Sequence, residues 1–165
     1  MKRIDKDGLI LCELQAKAFE LSSETQNTSS AVFIRRFMNS DVAKQLDNMA
    51  VLQSNIHAMD ILKLIDEEYG ESEYGLVKYS SNELYWIGYI YRYYAYTYDK
   101  TSKQVYKTVK PKELRDLFLP YHTMDPAQAI DRILEAKGLA KKDTCEEKRQ
   151  FEIFKRIRKS KLSSN

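Results

Sequence analysis

Apolar positions recur at spacings of three and four residues along most of the chain, which is the repeat of an amphipathic α-helix. The first such stripe consists of Leu11, Leu14, Ala18 and Leu21. It predicts a helix from about Gly8 to Ser23. Similar stripes predict further helices around Phe33, Ile61, Leu117 and Ile133. We expect Pro120 to end one of these helices and assign the ambiguous segment from Asn48 to Asn55 as a loop.

The stretch YSSNELYWIGYIYRYYAYTYDK differs from the others, because nearly every position from Leu84 to Tyr98 is apolar or aromatic. Ser80 and Glu83 have the spacing of a capping box, in which each side chain accepts the backbone N–H of the other residue. Alternating tyrosines also allow a strand, but the length of the stretch and the consecutive Tyr93 and Tyr94 favour a helix. Since a helix that is apolar on all sides must be buried, we expect it at the centre of the domain.

The composition agrees with this reading. The 165 residues include only 5 Gly and 3 Pro, which is few for a fold rich in turns. Leu, Ala, Lys, Glu and Gln are abundant, and these residues favour helix. The predicted fold class is therefore all-α: a compact multi-helix bundle around the central aromatic-rich helix, with a basic C-terminal helix or tail.

The formal net charge of +3 is unevenly distributed. Residues 139–165 carry nine Lys and Arg but four Asp and Glu, so the rest of the chain is slightly acidic. We therefore predict a helical domain over residues 1–138 and a basic helix or tail over residues 139–165.

The N-terminal apolar run is interrupted by Glu13, which is typical of neither a signal peptide nor a membrane span. Cys12 and Cys145 lie far apart and form no metal-spaced pair, so we expect two reduced thiols. These features predict a cytoplasmic protein that does not interact with a membrane.

Motifs of catalysis are missing from the sequence, which has no phosphate-binding glycine loop, no nucleophile elbow and no pair of histidines at ligand spacing. His122 with Asp125 is the strongest catalytic candidate, although Asp125 also has the position of a helix cap. His57 beside Asp60 has an equally ordinary explanation at a helix start. We therefore predict a protein that is not an enzyme, with no catalytic residues, no metal site and no cofactor.

Arg92 is the single charge in the aromatic stretch, and a guanidinium among aromatic rings must be paired or stacked. One interpretation is a guanidinium at the helix surface, or one that forms an ion pair with an acidic residue of the same chain. The other is an anchor for an acidic partner, framed by tyrosines, which are enriched at protein interfaces. The predicted partner-binding residues are Tyr89, Arg92, Tyr93 and Tyr96.

Residues 98–118 also allow a helix-turn-helix interpretation, with two short helices joined near Lys110 and Pro111. Such a segment would contact the phosphates of DNA through its basic side chains, assisted by the tail. The predicted nucleic-acid contacts are Lys103, Lys107, Lys110, Lys112 and Arg115, with Lys155, Arg156 and Arg158 of the tail.

Two stretches, SSAVFIRRFMNSDVAKQLD and ELYWIGYIYRYYAYTYDKTSKQVYKTVKPKELRDLFLPYHTMDPAQAIDRILEAKG, resemble a family of short bacterial proteins. Members of that family are encoded beside small proteins related to ADP-ribosyltransferase toxins. The resemblance covers roughly residues 1–138 and brings no catalytic residues with it. It implies an antitoxin or accessory role within a toxin–antitoxin locus.

The sequence thus predicts a non-catalytic module that binds another protein, with a cognate toxin as the expected partner. A DNA-binding transcriptional regulator is the alternative. The surplus of aromatic residues also allows a homodimer.

Overall fold

The computed structural model describes residues 1–140 and 152–156. All regular secondary structure within these ranges is helical, which confirms the predicted all-α bundle. A 3-10 helix covers Ala50–Gln53, and residues 152–156 are helical as well. The α-helices are α1 (Lys6–Thr25), α2 (Ser30–Met38), α3 (Asp41–Asp47), α4 (Ala58–Tyr69), α5 (Ser81–Thr97), α6 (Ser102–Thr108), α7 (Pro111–Tyr121) and α8 (Pro126–Ala136).

Internal contacts divide the chain into two units, Met1–Ile130 and Asp131–Asn165. The boundary falls within α8, and the ion pair and the groove described below belong to the first unit. The predicted division into a helical domain over residues 1–138 and a basic segment over residues 139–165 stays a prediction.

The aromatic-rich stretch forms α5, which begins after the predicted capping box. The Ser80 hydroxyl accepts the Glu83 amide N–H at 3.2 Å, and the Glu83 carboxylate accepts the Ser80 amide N–H at 2.9 Å. Eleven of the seventeen residues of α5 are buried, because the helix contacts α1, α6 and α7. The prediction of a buried aromatic helix is confirmed.

The closest helix pair is α1 with α5, and Gly88 permits their approach. A β-carbon at this position would lie 2.8 Å from Phe19 Cγ and 3.0 Å from Ala16 Cα. Gln15 of α1 adds a buried hydrogen bond from its Nε2 to the Gly88 carbonyl, at 3.1 Å. The two backbones therefore meet where α5 has no side chain.

Two local predictions are wrong. The segment assigned as a loop contains the 3-10 helix, whose first turn is fixed by a hydrogen bond from the Ala50 amide to the Asn48 side chain at 3.0 Å. The helix expected to end at Pro120 continues to Tyr121. Proline lacks one N–H, but its fixed φ still fits the last turn of a helix, so a terminal proline does not force an immediate break.

None of the helices in the described ranges is both long enough and apolar enough to cross a membrane.

Candidate partner-binding groove

Arg92 lies inside the bundle, with 1% of its surface exposed. Its Nη1 is 2.7 Å from Asp47 Oδ1 at the end of α3, and its Nε donates to Gln15 Oε1 at 2.8 Å. Its Nη2 donates to Ser102 Oγ at 2.6 Å. Burial lowers the pKa of the guanidinium, and the charge and hydrogen bond of Asp47 raise it. The side chain thus joins α1, α3, α5 and α6.

This geometry corrects the assignment of Arg92 to a partner-binding surface. The guanidinium is covered by the chain and bonded to the chain's own side chains, so an external acidic group cannot reach it. The first interpretation, an ion pair with a carboxylate of the same chain, is the one that the structure has.

Tyr96 is held by the N-terminal segment. Its hydroxyl donates to the Asp5 carboxylate, at 2.7 and 2.9 Å, and Lys2 Nζ lies 4.1 Å from the centre of its ring. Burial and the hydrogen bond to Asp5 raise the pKa of Tyr96 to about 12. These contacts hold residues 2–5 against α5, so we assign Tyr96 a structural role.

Three tyrosines form a row along α5 because they are spaced by four residues. The rings of Tyr85 and Tyr89 stack with centres 6.4 Å apart, and those of Tyr89 and Tyr93 stack at 6.3 Å. Exposure decreases along the row: Tyr85 is 37% exposed, Tyr89 is partly buried and Tyr93 is buried. Burial raises the pKa of Tyr89 to about 12, so its hydroxyl stays protonated at neutral pH.

The exposed end of this row forms one wall of a groove of about 580 Å³. The opposite wall belongs to α7, and the turn after α7 closes one end. The residues that line the groove are Asn82, Tyr85, Trp86, Tyr89, Phe118, Leu119, His122, Met124 and Pro126. Most of this lining is aromatic or aliphatic, which is typical of sites that bind ligands or partner side chains.

The wall from α7 is built at the end of that helix, where the Phe118 carbonyl oxygen accepts the amide N–H of His122 at 2.8 Å. His122 Nδ1 lies 2.9 Å from the Phe118 carbonyl oxygen and 3.1 Å from that of Leu119. The imidazole also stacks on the Phe118 ring, with centres 4.5 Å apart, and Trp86 meets Phe118 edge to face at 5.9 Å. These contacts hold the three rings in fixed orientations. Leu119, by contrast, is 79% exposed.

A negative charge lies beside the row of tyrosines. Glu13 is exposed on α1, and its charge contributes to the raised pKa values of Tyr85 and Tyr89, in which burial is the larger cause. Within the part of the chain that the structure describes, Glu13 has no ion-pair partner. Its neighbour Glu20 is paired with Lys17 at 2.8 Å.

Of the four residues predicted to bind a partner, only Tyr89 lines the groove. Sequence analysis missed the α7 wall, above all Leu119 and His122. The signal that could have found it is Leu119 itself, because it follows Leu117 and Phe118 and extends the apolar residues beyond one helical face.

The predicted helix-turn-helix segment does contain two helices, α6 and α7, with only Val109 and Lys110 between them. Arg115 contacts the bundle: its Nε lies 3.3 Å from Glu83 Oε2, and its Cζ lies 4.4 Å from the centre of the Tyr79 ring. Lys110 lies 4.2 Å from the ring of Tyr106.

Of the other basic residues assigned to DNA, Lys103, Lys107 and Lys112 are not among the residues that line the groove. Lys112 pairs with Asp116 at 3.4 Å, and Lys103 and Lys107 are exposed on α6. Lys155 and Arg156 are exposed as well. Arg158 lies outside the described residues.

The Asp125 and Asp60 carboxylates and the His122 imidazole, all named as catalytic candidates, bond to backbone atoms. The Asp125 carboxylate caps α8 by accepting the amide N–H of Ala127 at 2.9 Å, while His122 Nδ1 faces the carbonyls of α7. The Asp60 carboxylate accepts the backbone N–H of His57 at 2.8 Å. Among residues 1–140 and 152–156, no group of three or more His, Cys, Asp or Glu side chains is placed to hold a metal ion.

Comparison with protein-family models, curated proteins and solved structures finds no match for this chain.

Proposed function

We propose that this protein is a non-catalytic module that binds another protein, and that the groove between α5 and α7 is its contact surface. The observation that carries the proposal is the exposure of Leu119 and Tyr85 in a groove that is lined mostly by aromatic and aliphatic side chains. Burying such a surface against a partner removes apolar area from water, which is the main favourable contribution to association.

The occupant that best fits the groove is an amphipathic helix with a basic residue beside its apolar face. A groove between two helices accepts a third helix through apolar anchors one turn apart. Glu13 supports the basic residue, because a Lys or Arg there would meet an unpaired carboxylate and the faces of Tyr85 and Tyr89.

The identity of the partner is proposed from the sequence resemblance. The family that the two stretches resemble is encoded beside small toxins related to ADP-ribosyltransferases, so the proposed partner is the toxin encoded next to this protein. The module would then be the antitoxin or accessory component of that locus. The open apolar groove is consistent with a role in neutralising a partner by direct contact.

The test is co-expression with the product of the neighbouring gene. We expect this protein to relieve the growth arrest that the toxin causes and to co-purify with it. The double variant Leu119→Ser and Tyr85→Ser should lose both properties. Leu76→Ser is the matched control, since Leu76 is 95% exposed and lies outside the groove.

The outcomes separate the possible occupants. If the double variant still relieves growth arrest, the groove is not the contact surface. A dimer in sedimentation experiments on the protein alone, converted to a monomer by the double variant, would instead assign the groove to a second copy of the chain.

DNA binding is the second candidate, supported by the short junction of α6 and α7 and by exposed lysines on both helices. It predicts binding to upstream DNA that weakens with salt. Lys103→Gln with Lys107→Gln should then reduce affinity, while the double groove variant should not. Affinity for DNA that is unchanged by the lysine substitutions would count against this function.

A further inference from the structure

His122 presents two different nitrogen atoms, and the backbone determines which one carries a proton. Nδ1 lies within hydrogen-bond distance of two carbonyl oxygens, those of Phe118 and Leu119. A carbonyl oxygen only accepts, so Nδ1 must donate. In the neutral imidazole the second nitrogen, Nε2, is therefore an acceptor with a free lone pair.

Nε2 is separated from Nδ1 by the Cε1 carbon of the ring, so its lone pair points in a different direction from the Nδ1–H bond. The imidazole lines the groove and is exposed, and Nε2 has no hydrogen bond within the described residues. Because His122 is exposed, Nε2 can accept a hydrogen bond from solvent in the free protein. A partner that fills the groove with purely apolar atoms would exclude solvent and leave a buried acceptor unpaired, which weakens binding.

The walls favour an aromatic occupant. Tyr85, Trp86 and Phe118 offer ring faces and edges, and aromatic pairs gain stabilisation from offset or edge-to-face contacts beyond the area they bury. An occupant that also satisfies Nε2 needs an N–H or O–H donor at the edge of its ring. The indole of tryptophan combines a large apolar ring with a single N–H donor and no acceptor.

We infer that the groove recognises a tryptophan side chain of its partner, with the indole N–H donating to His122 Nε2 and the ring packing against Trp86 and Phe118. This inference rests on the proposed function, since it specifies the anchor of the partner bound there. It makes His122 a specificity-determining residue of the groove.

The inference is tested with small ligands on the full-length protein, labelled with 15N for NMR titration. Indole is the probe, and benzofuran is the control, because it keeps the ring but replaces the N–H by oxygen. We expect indole to shift the resonances of groove residues such as Tyr85, Leu119 and His122. Benzofuran should bind about threefold to tenfold more weakly, which corresponds to one lost hydrogen bond.

Two variants identify the acceptor. His122→Phe keeps a ring on Phe118 and removes Nε2. Indole and benzofuran should therefore bind this variant with similar affinities. His57→Phe changes the other histidine, which is the N-cap residue before α4, and should leave the difference between the ligands unchanged. Phenol provides a third arm, and tighter binding of phenol than of indole would assign the anchor to tyrosine and overturn the inference.

The results distinguish this inference from the proposed function. Equal affinities of indole and benzofuran for the unmodified protein would refute the role of His122 while leaving the groove as a binding surface. Indole shifts that fall outside the groove, or the absence of any shift, would count against both.

Discussion

Arg92 and Asp47 form an ion pair inside the bundle, with 2.7 Å between Nη1 and Oδ1. Asp47 also accepts hydrogen bonds from the amide and the hydroxyl of Ser102, at the first residue of α6. The pair therefore connects the end of α3, the middle of α5 and the start of α6. Because both charges are largely withdrawn from water, each depends on the other for compensation.

Arg92→Met should lower the free energy of unfolding by about 3 kcal/mol, since it leaves Asp47 without its counter-ion and removes the hydrogen bonds that Gln15 and Ser102 accept from the guanidinium. Urea unfolding measures the change. Lys112→Met is the matched control, because its ion pair with Asp116 is exposed and should contribute less than about 0.5 kcal/mol. A loss from Arg92→Met as small as that of the control would contradict the structural role of the pair.

Most of the fold is predictable from the sequence because its determinants are local. The capping box of Ser80 and Glu83 and the continuous apolar run after it are enough to predict α5 and its burial. The end of α7 was harder to place, because Pro120 removes one hydrogen bond without excluding helical backbone for one more residue.

The candidate site is less predictable, because it depends on contacts between residues distant in sequence. Tyr85 and Leu119 line one groove although 33 positions separate them. The pattern of α5 shows that Arg92 must be compensated, but it does not show that the compensating group is Asp47. An internal ion pair and a surface anchor have the same local sequence signature.

Cys12 should make the fold sensitive to alkaline pH. Burial raises the pKa of its thiol from 9.0 to about 12, so the unfolded chain loses this proton first. The folded pKa is the higher one, and stability that is complete below pH 9 is therefore lost as the pH rises toward 12. The loss approaches about 1.4 kcal/mol per pH unit for one thiol.

The pH effect is measured by urea unfolding at several values between pH 9 and pH 10, where the exposed tyrosines of the unfolded chain also begin to ionise. Their contribution is common to the unmodified protein and to the variant, so the difference between the two slopes reports on Cys12. Cys12→Ala should flatten the dependence relative to the unmodified protein, whatever its effect on stability at neutral pH. Identical slopes for the two proteins would show that the buried thiol is not responsible.

Gly88→Ala should destabilise the protein by about 2 kcal/mol, because the new methyl group would overlap Phe19 Cγ and Ala16 Cα. In an open helix the same substitution stabilises by about 1 kcal/mol, so the two effects have opposite signs. Thermal unfolding distinguishes them. A raised melting temperature would mean that α1 and α5 can move apart to accept the methyl group without a loss of stability.

Leu119→Ser should change the free energy of unfolding by less than about 0.5 kcal/mol, because the side chain is 79% exposed and gives up little burial. Leu114→Ser, on the buried face of the same helix, should lower the free energy of unfolding by about 3 kcal/mol, as is usual when a buried leucine is truncated. Both are measured by urea unfolding. A leucine that the fold does not need, beside a groove of aromatic rings, is the main support for the proposed docking surface. A large loss of stability from Leu119→Ser would show that the fold does need it and would remove that support.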